Sequence, residues 1–195
     1  MPTIKVKNPV GRNPADRGAP LPMELQALLQ EALALKALPR AGWVRVGVRE
    51  PESVAAHSWG VAWLVLALCP EELDRGRALA IATLHDLAEV RVGDLTPHDG
   101  VSPESKEAAE EEALEGMLRG LPHRAELREL AREYREGASP EGRFVRACDK
   151  LDMALQAAWY EARQPLDLGE FVASALARLE DPLLRRLAAG PGPRP

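Results

Sequence analysis

Four residues of this chain are of types that hold divalent metals, and all four stand where such side chains are costly. His57 lies in SVAAHSW, His85 and Asp86 in ATLHDLAEVRVGDLTP, and Asp149 in RACDKLDM. Each stretch is otherwise built from core-forming residues. Burying an imidazole or a carboxylate is unfavourable unless something compensates, and a divalent cation compensates well. The chain has four histidines in all, so two of them in apolar, helix-forming surroundings point to chemistry. Two imidazoles with two carboxylates form a mixed nitrogen and oxygen donor set, which suits Mn, Fe, Co or Zn better than Ca. Two further acids follow. At helical spacing Glu89 shares a face with both His85 and Asp86. An acid beside the ligands is placed to orient or deprotonate water, and Asp94, in the loop beyond, could protonate a departing oxygen.

Singly, each residue has a plainer reading. His57 alone reads as a core histidine, His85-Asp86 as a surface pair, and Asp149 as a core carboxylate bonded to Lys150 or Arg146. Asp94 could cap a turn after Gly93. Trp43 reads equally as a lid over apolar surface or as a stacking partner for a nucleobase. Arg40 and Arg45 are phosphate partners or simply solvated; Lys106 and Lys150 carry the same two readings. His98 is a distant candidate for a fifth ligand, His123 a surface residue, and Trp59, Trp63 and Trp159 read as core packing.

The elements that must position these groups are helices. Ala, Leu, Glu and Arg dominate while aromatics are 4%, and no period-two run of β-branched residues suggests a sheet. Residues 1–20, rich in Pro, Gly and Asn, read as a flexible arm. A first helix runs from Leu21 to Pro39 with an apolar face of Leu25, Leu28, Leu29, Leu33 and Leu35, followed by a linker, Arg40 to Pro51, carrying an exposed Trp43. The second spans Glu52 to Leu68, its stripe formed by Val54, His57, Val61, Leu64, Val65 and Leu68. The third spans Glu72 to Val90 and carries His85, Asp86 and Glu89 until Gly93 breaks it. Further helices are predicted from Pro103 to Leu118, from Pro122 to near Gly137, and from Glu141 to Arg163. One or two short ones follow Pro165, and residues 190–195 (GPGPRP) read as a disordered tail. The expectation is an all-α, compact single-domain bundle of six or more helices over 21–189.

Bulk properties narrow the function. A length of 195 residues fits one core. A net charge of -5 argues against tracking a nucleic-acid polymer, though not against a small anionic substrate held by a metal and arginines. Cys69 and Cys148 lack metal or redox spacing and read as buried free thiols in a reducing compartment. No apolar run reaches membrane-spanning length and the start has no secretory h-region, so a cytoplasmic address is expected.

The order H…HD…D resembles the HD-domain metal-dependent phosphohydrolases. The longer strings PESVAAHSW, LHDLAEVRVGDLTP and ACDKLD resemble their 5′-deoxynucleotidase branch, over about Leu35 to Tyr160. The resemblance implies one divalent ion (Mn, Co, Fe, Zn or Mg) on His57, His85, Asp86 and Asp149, with Glu89 and Asp94 as catalytic carboxylates. Trp43, Arg40 and Arg45 would meet the substrate. The implied activity is removal of the 5′ phosphate from deoxyribonucleoside monophosphates, by a homodimer. One departure is Ala56, where relatives carry an acid; it alters tuning rather than a ligand. A phosphodiesterase or (p)ppGpp-type hydrolase, or a nucleotide-binding module without catalysis, are the alternatives.

Overall fold

The computed structural model describes residues 23–119 and 121–190. The expected N-terminal arm and nearly all of the expected tail lie outside these residues. The longest element, α8 (Pro140–Glu161), is the axis of the fold. It begins with Ser139 accepting a hydrogen bond from the Gly142 amide and with proline in its first turn, both strong start signals. Its buried positions recur every third residue, at Val145, Cys148, Leu151, Ala154, Ala157 and Tyr160. A three-residue repeat drifts around a 3.6-residue helix. The covered face therefore turns along α8 and meets several neighbours: α3 (Val54–Leu68), α4 (Arg75–Leu84), α7 (Arg124–Glu136), α9 (Gly169–Leu176) and α10 (Pro182–Ala189).

The main core is aliphatic. Val61, Leu64 and Val65 of α3, Ile81 and Leu84 of α4, and Leu114 and Leu118 of α6 (Pro103–Leu118) meet Val145, Cys148 and Leu151. Full burial of such a side chain contributes about 1.5–3 kcal/mol. A second, aromatic cluster joins Trp43, Tyr160 and Leu168, with Phe171 packed against it. The Trp43 ring lies 4.3 Å from that of Phe171 and 5.4 Å from that of Tyr160. Among the described residues the only β-type pairing is a single bridge, Pro39 with Ser53.

The all-helical expectation holds, and several local readings need correction. The first helix, α1 (Met23–Ala32), gives way to a 3₁₀ turn at Leu33–Lys36; Leu29 and Leu33 of its expected apolar face are exposed. The linker contains a short helix, α2 (Ala41–Arg45), and Trp43 on it is buried, not exposed. Its indole donates to Glu52 Oε1 at 2.9 Å. Trp59, Trp63 and Trp159 are the reverse case, 71%, 55% and 48% exposed rather than in the core. α3 bears no Asp, Glu, Lys or Arg, so apolarity alone could not distinguish its covered face from its open one. Of the two free thiols, Cys148 is buried as expected but Cys69 is only half-buried.

Candidate metal centre and cavity

His57 enters the site from the first turns of α3. Ser53 caps that helix by accepting from the Ala56 amide, which fixes where the imidazole starts. The ring is almost wholly buried. Its Nδ1 lies 2.7 Å from Asp152 Oδ2, so Nδ1 carries the hydrogen and Nε2 faces the interior.

The expected third helix is in fact broken. α4 stops at Leu84, and α5 (Glu89–Val92) is a separate single turn. Between them Leu87 bonds to Leu84, Glu89 to Asp86 and Val90 to Leu87, all amide to carbonyl three residues back. This tightened geometry eclipses residues three apart. It stacks Glu89 over Asp86 and detaches both from the straight-helix spacing assumed from sequence. His85 donates through Nδ1 to the Ala82 carbonyl at 2.7 Å, again leaving Nε2 free. Gly93, at φ +80°, ends α5 in a conformation that favours glycine and turns the chain so that Asp94 returns to the site. There its Oδ2 accepts from the Ala41 amide at 2.7 Å and its Oδ1 from Arg40 at 3.4 Å.

Asp149 comes from α8. Its Oδ2 accepts from the Tyr134 hydroxyl at 2.8 Å and meets Lys150 Nζ at 2.9 Å. Its Oδ1 points at His57 Nε2, 3.3 Å away. Asp86 Oδ2 lies 3.7 Å from His57 Nε2 and 3.1 Å from His85 Nε2. The fold thus brings all four predicted ligands together; His57, His85 and Asp149 each offer an atom within 4.8 Å of the others. Four atoms here are buried without any hydrogen-bond partner: His57 Nε2, His85 Nε2, Asp86 Oδ2 and Glu89 Oε2. Orphaned polar atoms are rare in protein interiors. Two lone-pair nitrogens, an Asp149 oxygen within reach of both and Asp86 Oδ2 beside both make a donor set that fits a single divalent cation.

With only protein charges present, the titrating groups register this crowding. Burial, then the nearby Asp86 and Asp94 charges, push Glu89 up to about 9. Burial and Arg40 oppose a charge on His57, but Asp149 and Asp152 outweigh them and raise it to about 10. Burial works against ionised Asp86 and Asp149 as well, yet the histidines, with Arg40 and Lys150, hold both well below the usual carboxylate range. Arg40 is held protonated by Asp94 and Asp86 despite burial.

Above this cluster opens a cavity of about 430 Å³ whose floor includes His85, Asp86, Glu89 and Asp149, within the usual range for small-molecule sites. Arg40, Trp43, Asp94, Lys106, Phe171 and Arg178 also line it. Lys106 donates to the Leu95 carbonyl. Arg45 is at the rim, paired with Glu170 at 2.6 Å. His98 also borders the cavity but is exposed and outside the ligand group, and His123 is on the surface. Sequence reasoning missed Tyr134 and Asp152. Asp152 had a faint signal, three residues after Asp149 on the same helix. A second group, Glu52, His57 and Asp152, also brings ligand-type atoms within 4.8 Å, but Glu52 is engaged by Trp43 and Asp152 by His57, so it forms an outer layer to the first.

The model of the HD domain family matches residues 32–188. The human protein named 5′-deoxynucleotidase HDDC2 is 36% identical over 159 residues, 80% of this chain and 78% of its own length. The fission yeast 5′-deoxynucleotidase hdd1 is 37% identical over 135 residues, 66% of this chain and 68% of its own. Among solved structures, PH0347 protein from Pyrococcus horikoshii OT3 superposes with a TM-score of 0.71 at 36% identity, covering 84% of this chain and 98% of that one. A predicted metal-dependent phosphohydrolase from Magnetospirillum magnetotacticum MS-1 gives 0.65 at 26% identity, with 86% and 87% covered.

Proposed function

The chain belongs to the HD domain family, and on that premise we propose that it is a metal-dependent phosphomonoesterase removing the 5′ phosphate from deoxyribonucleoside monophosphates. The observation that carries the reading is the set of four orphaned buried atoms, those of His85, Asp86 and Glu89 on residues lining the cavity and that of His57 beside Asp86 and Asp149, in a chain similar over most of its length to proteins named 5′-deoxynucleotidase. His57, His85, Asp86 and Asp149 hold one divalent ion, and their donor set suits Mn, Fe, Co or Zn, with Mg compatible. Such an ion makes water more acidic, polarises a phosphoryl oxygen and favours the ionised form of Glu89.

The protein's own groups do the rest. Glu89, buried beside Asp86, accepts the proton of the attacking water and returns it to the departing 5′ oxygen, a role in which a raised pKa is useful. Asp94, tied to Arg40 and the Ala41 amide, is the second catalytic carboxylate and holds the attacking water from the other side. It holds the Arg40 guanidinium toward the phosphate, and Arg45 guards the mouth. Trp43 and Phe171 form the apolar wall against which the nucleoside packs. The test is phosphate release by chelator-stripped protein after Mn, Co, Mg or Zn is restored. Release from deoxynucleoside monophosphates but not from cyclic dinucleotides or ppGpp supports the reading. Silence on all of them, with the fold intact, would leave a binding module.

The proposed protein is a cytoplasmic homodimer. Among the described residues no helix is long and apolar enough to cross a membrane, and the two thiols are free. The dimer rests on Trp59, Trp63 and Leu66 of α3 beside Leu155 and Trp159 of α8, five exposed apolar side chains on adjacent helices. Their exposed area is roughly 600 Å². Two copies meeting face to face would bury about twice that, the lower end of specific interfaces. Sedimentation should give a dimer for the wild type and a monomer for Trp59→Glu/Trp63→Glu; a monomeric wild type would refute the assignment.

A further inference from the structure

One buried ring nitrogen of the site is engaged by a residue that the reaction itself does not use. His57 presents Nε2 to the ligand cluster and Nδ1 to Asp152, at 2.7 Å. An imidazole that gives its hydrogen to a carboxylate on one side keeps its lone pair on the other, and is also the stronger donor for it. In this position the Asp152 carboxylate lies directly against Gly60. A Cβ at position 60 would stand 2.1 Å from Asp152 Oδ1 and 2.9 Å from its Cγ. Gly60 is interior to α3, three residues after His57, where glycine weakens a helix by about 0.5–1 kcal/mol relative to alanine. Its backbone does not call for glycine, since its φ is not positive. Space for the Asp152 carboxylate is the demand that this position meets.

We propose that Asp152 is the positioning residue of the metal centre, fixing the ring orientation and tautomer of His57, and that Gly60 serves as the notch which admits its carboxylate. The inference rests on the metal reading above, and it deepens that reading by assigning two residues outside the ligand set. Asp152 touches no ligand-facing atom of the cluster and acts through His57 alone. Its signature is therefore metal affinity rather than chemistry.

The experiment is calorimetric titration of Mn²⁺ into chelator-stripped full-length protein, with circular dichroism checking the fold. Asp152→Ala should weaken binding about 10–100-fold, and Asp152→Asn by a smaller factor because its amide oxygen can still accept. Gly60→Ala should weaken binding similarly, by displacing an unchanged carboxylate. Combined with Asp152→Ala it should add no further loss of affinity, and it should raise the melting temperature of that background. Folded Asp152→Ala and Asp152→Asn proteins that bind Mn²⁺ within twofold of wild type would overturn the proposal, as would fully additive losses in the double variant. Weakened binding in these variants, alongside a wild type that takes up Mn²⁺ but releases no phosphate, would uphold the positioning role and refute the proposed reaction. A wild type that binds no divalent ion would overturn both.

Discussion

Glu89 and Glu133 are the same side chain buried to nearly the same extent, 5% and 4% exposed, in opposite electrostatic settings. Glu133 on α7 accepts from Arg77 of α4 through both carboxylate oxygens, and that pairing holds its pKa below the ordinary value. Glu89 has an oxygen with no partner at all; burial and two neighbouring carboxylates drive its pKa up. One acid is compensated by the protein, and its job is to tie two helices together. The other is left uncompensated among further orphaned atoms, a cost tolerated only where something else completes the site.

The largest effect expected from this contrast is on turnover. Glu89→Gln should lower phosphate release about 10²–10⁴-fold while Mn²⁺ still binds. In chelator it should raise the melting temperature, since the neutral amide suits a pocket that resists the carboxylate. Near-normal turnover with metal bound would remove Glu89 from the mechanism. Next, saturating metal should stabilise the wild type by about 2.7 kcal/mol at a hundredfold excess over Kd. His85→Ala should show almost none of that gain in a thermal melt; an equal gain in both would move the ion elsewhere.

Glu133→Gln should do the opposite of Glu89→Gln. It should cost about 1–2 kcal/mol at neutral pH, reduced from the buried-pair range because Arg77 is 39% exposed, with turnover per folded molecule unchanged. The sign with pH follows from the lowered pKa. The pair's stabilisation is complete above the ordinary value of 4.5 and is lost as pH falls through the lower folded value. Denaturant unfolding at pH 7 and at pH 3 should therefore show the penalty shrinking in acid. The smallest effect belongs to a pair with both partners partly exposed, 36% and 33%. Arg91 makes a two-point contact with Glu31 at 2.7 and 2.8 Å, yet Arg91→Ala should cost under about 1 kcal/mol. A larger loss would mean that pairing, rather than burial, dominates these energies.

The cluster of His57, His85, Asp86 and Asp149 was legible in the sequence because histidine and aspartate in apolar helical context have few structural explanations, and the chain has few histidines. The helices were legible from capping serines and prolines, and α6 begins and ends where the sequence puts it. Three things were not. The break after Leu84 carries neither glycine nor proline; it arises from local tightening around His85 and Asp86. The outer layer of Tyr134 and Asp152 consists of residues ordinary for amphipathic helices, and its meaning depends on partners 15 and 95 positions away. The exposure of Trp59, Trp63 and Trp159 contradicts the rule that large apolar side chains go inside, a rule with many surface exceptions.

The central claim is that His57, His85, Asp86 and Asp149 together hold one ion. Its most direct measurement is anomalous scattering from crystals soaked in Mn²⁺. A single peak between the His57 and His85 Nε2 atoms, in contact with Asp86 and Asp149, is the predicted result. A peak away from Asp149, or none at the cluster in a protein that still hydrolyses its substrate, would contradict it.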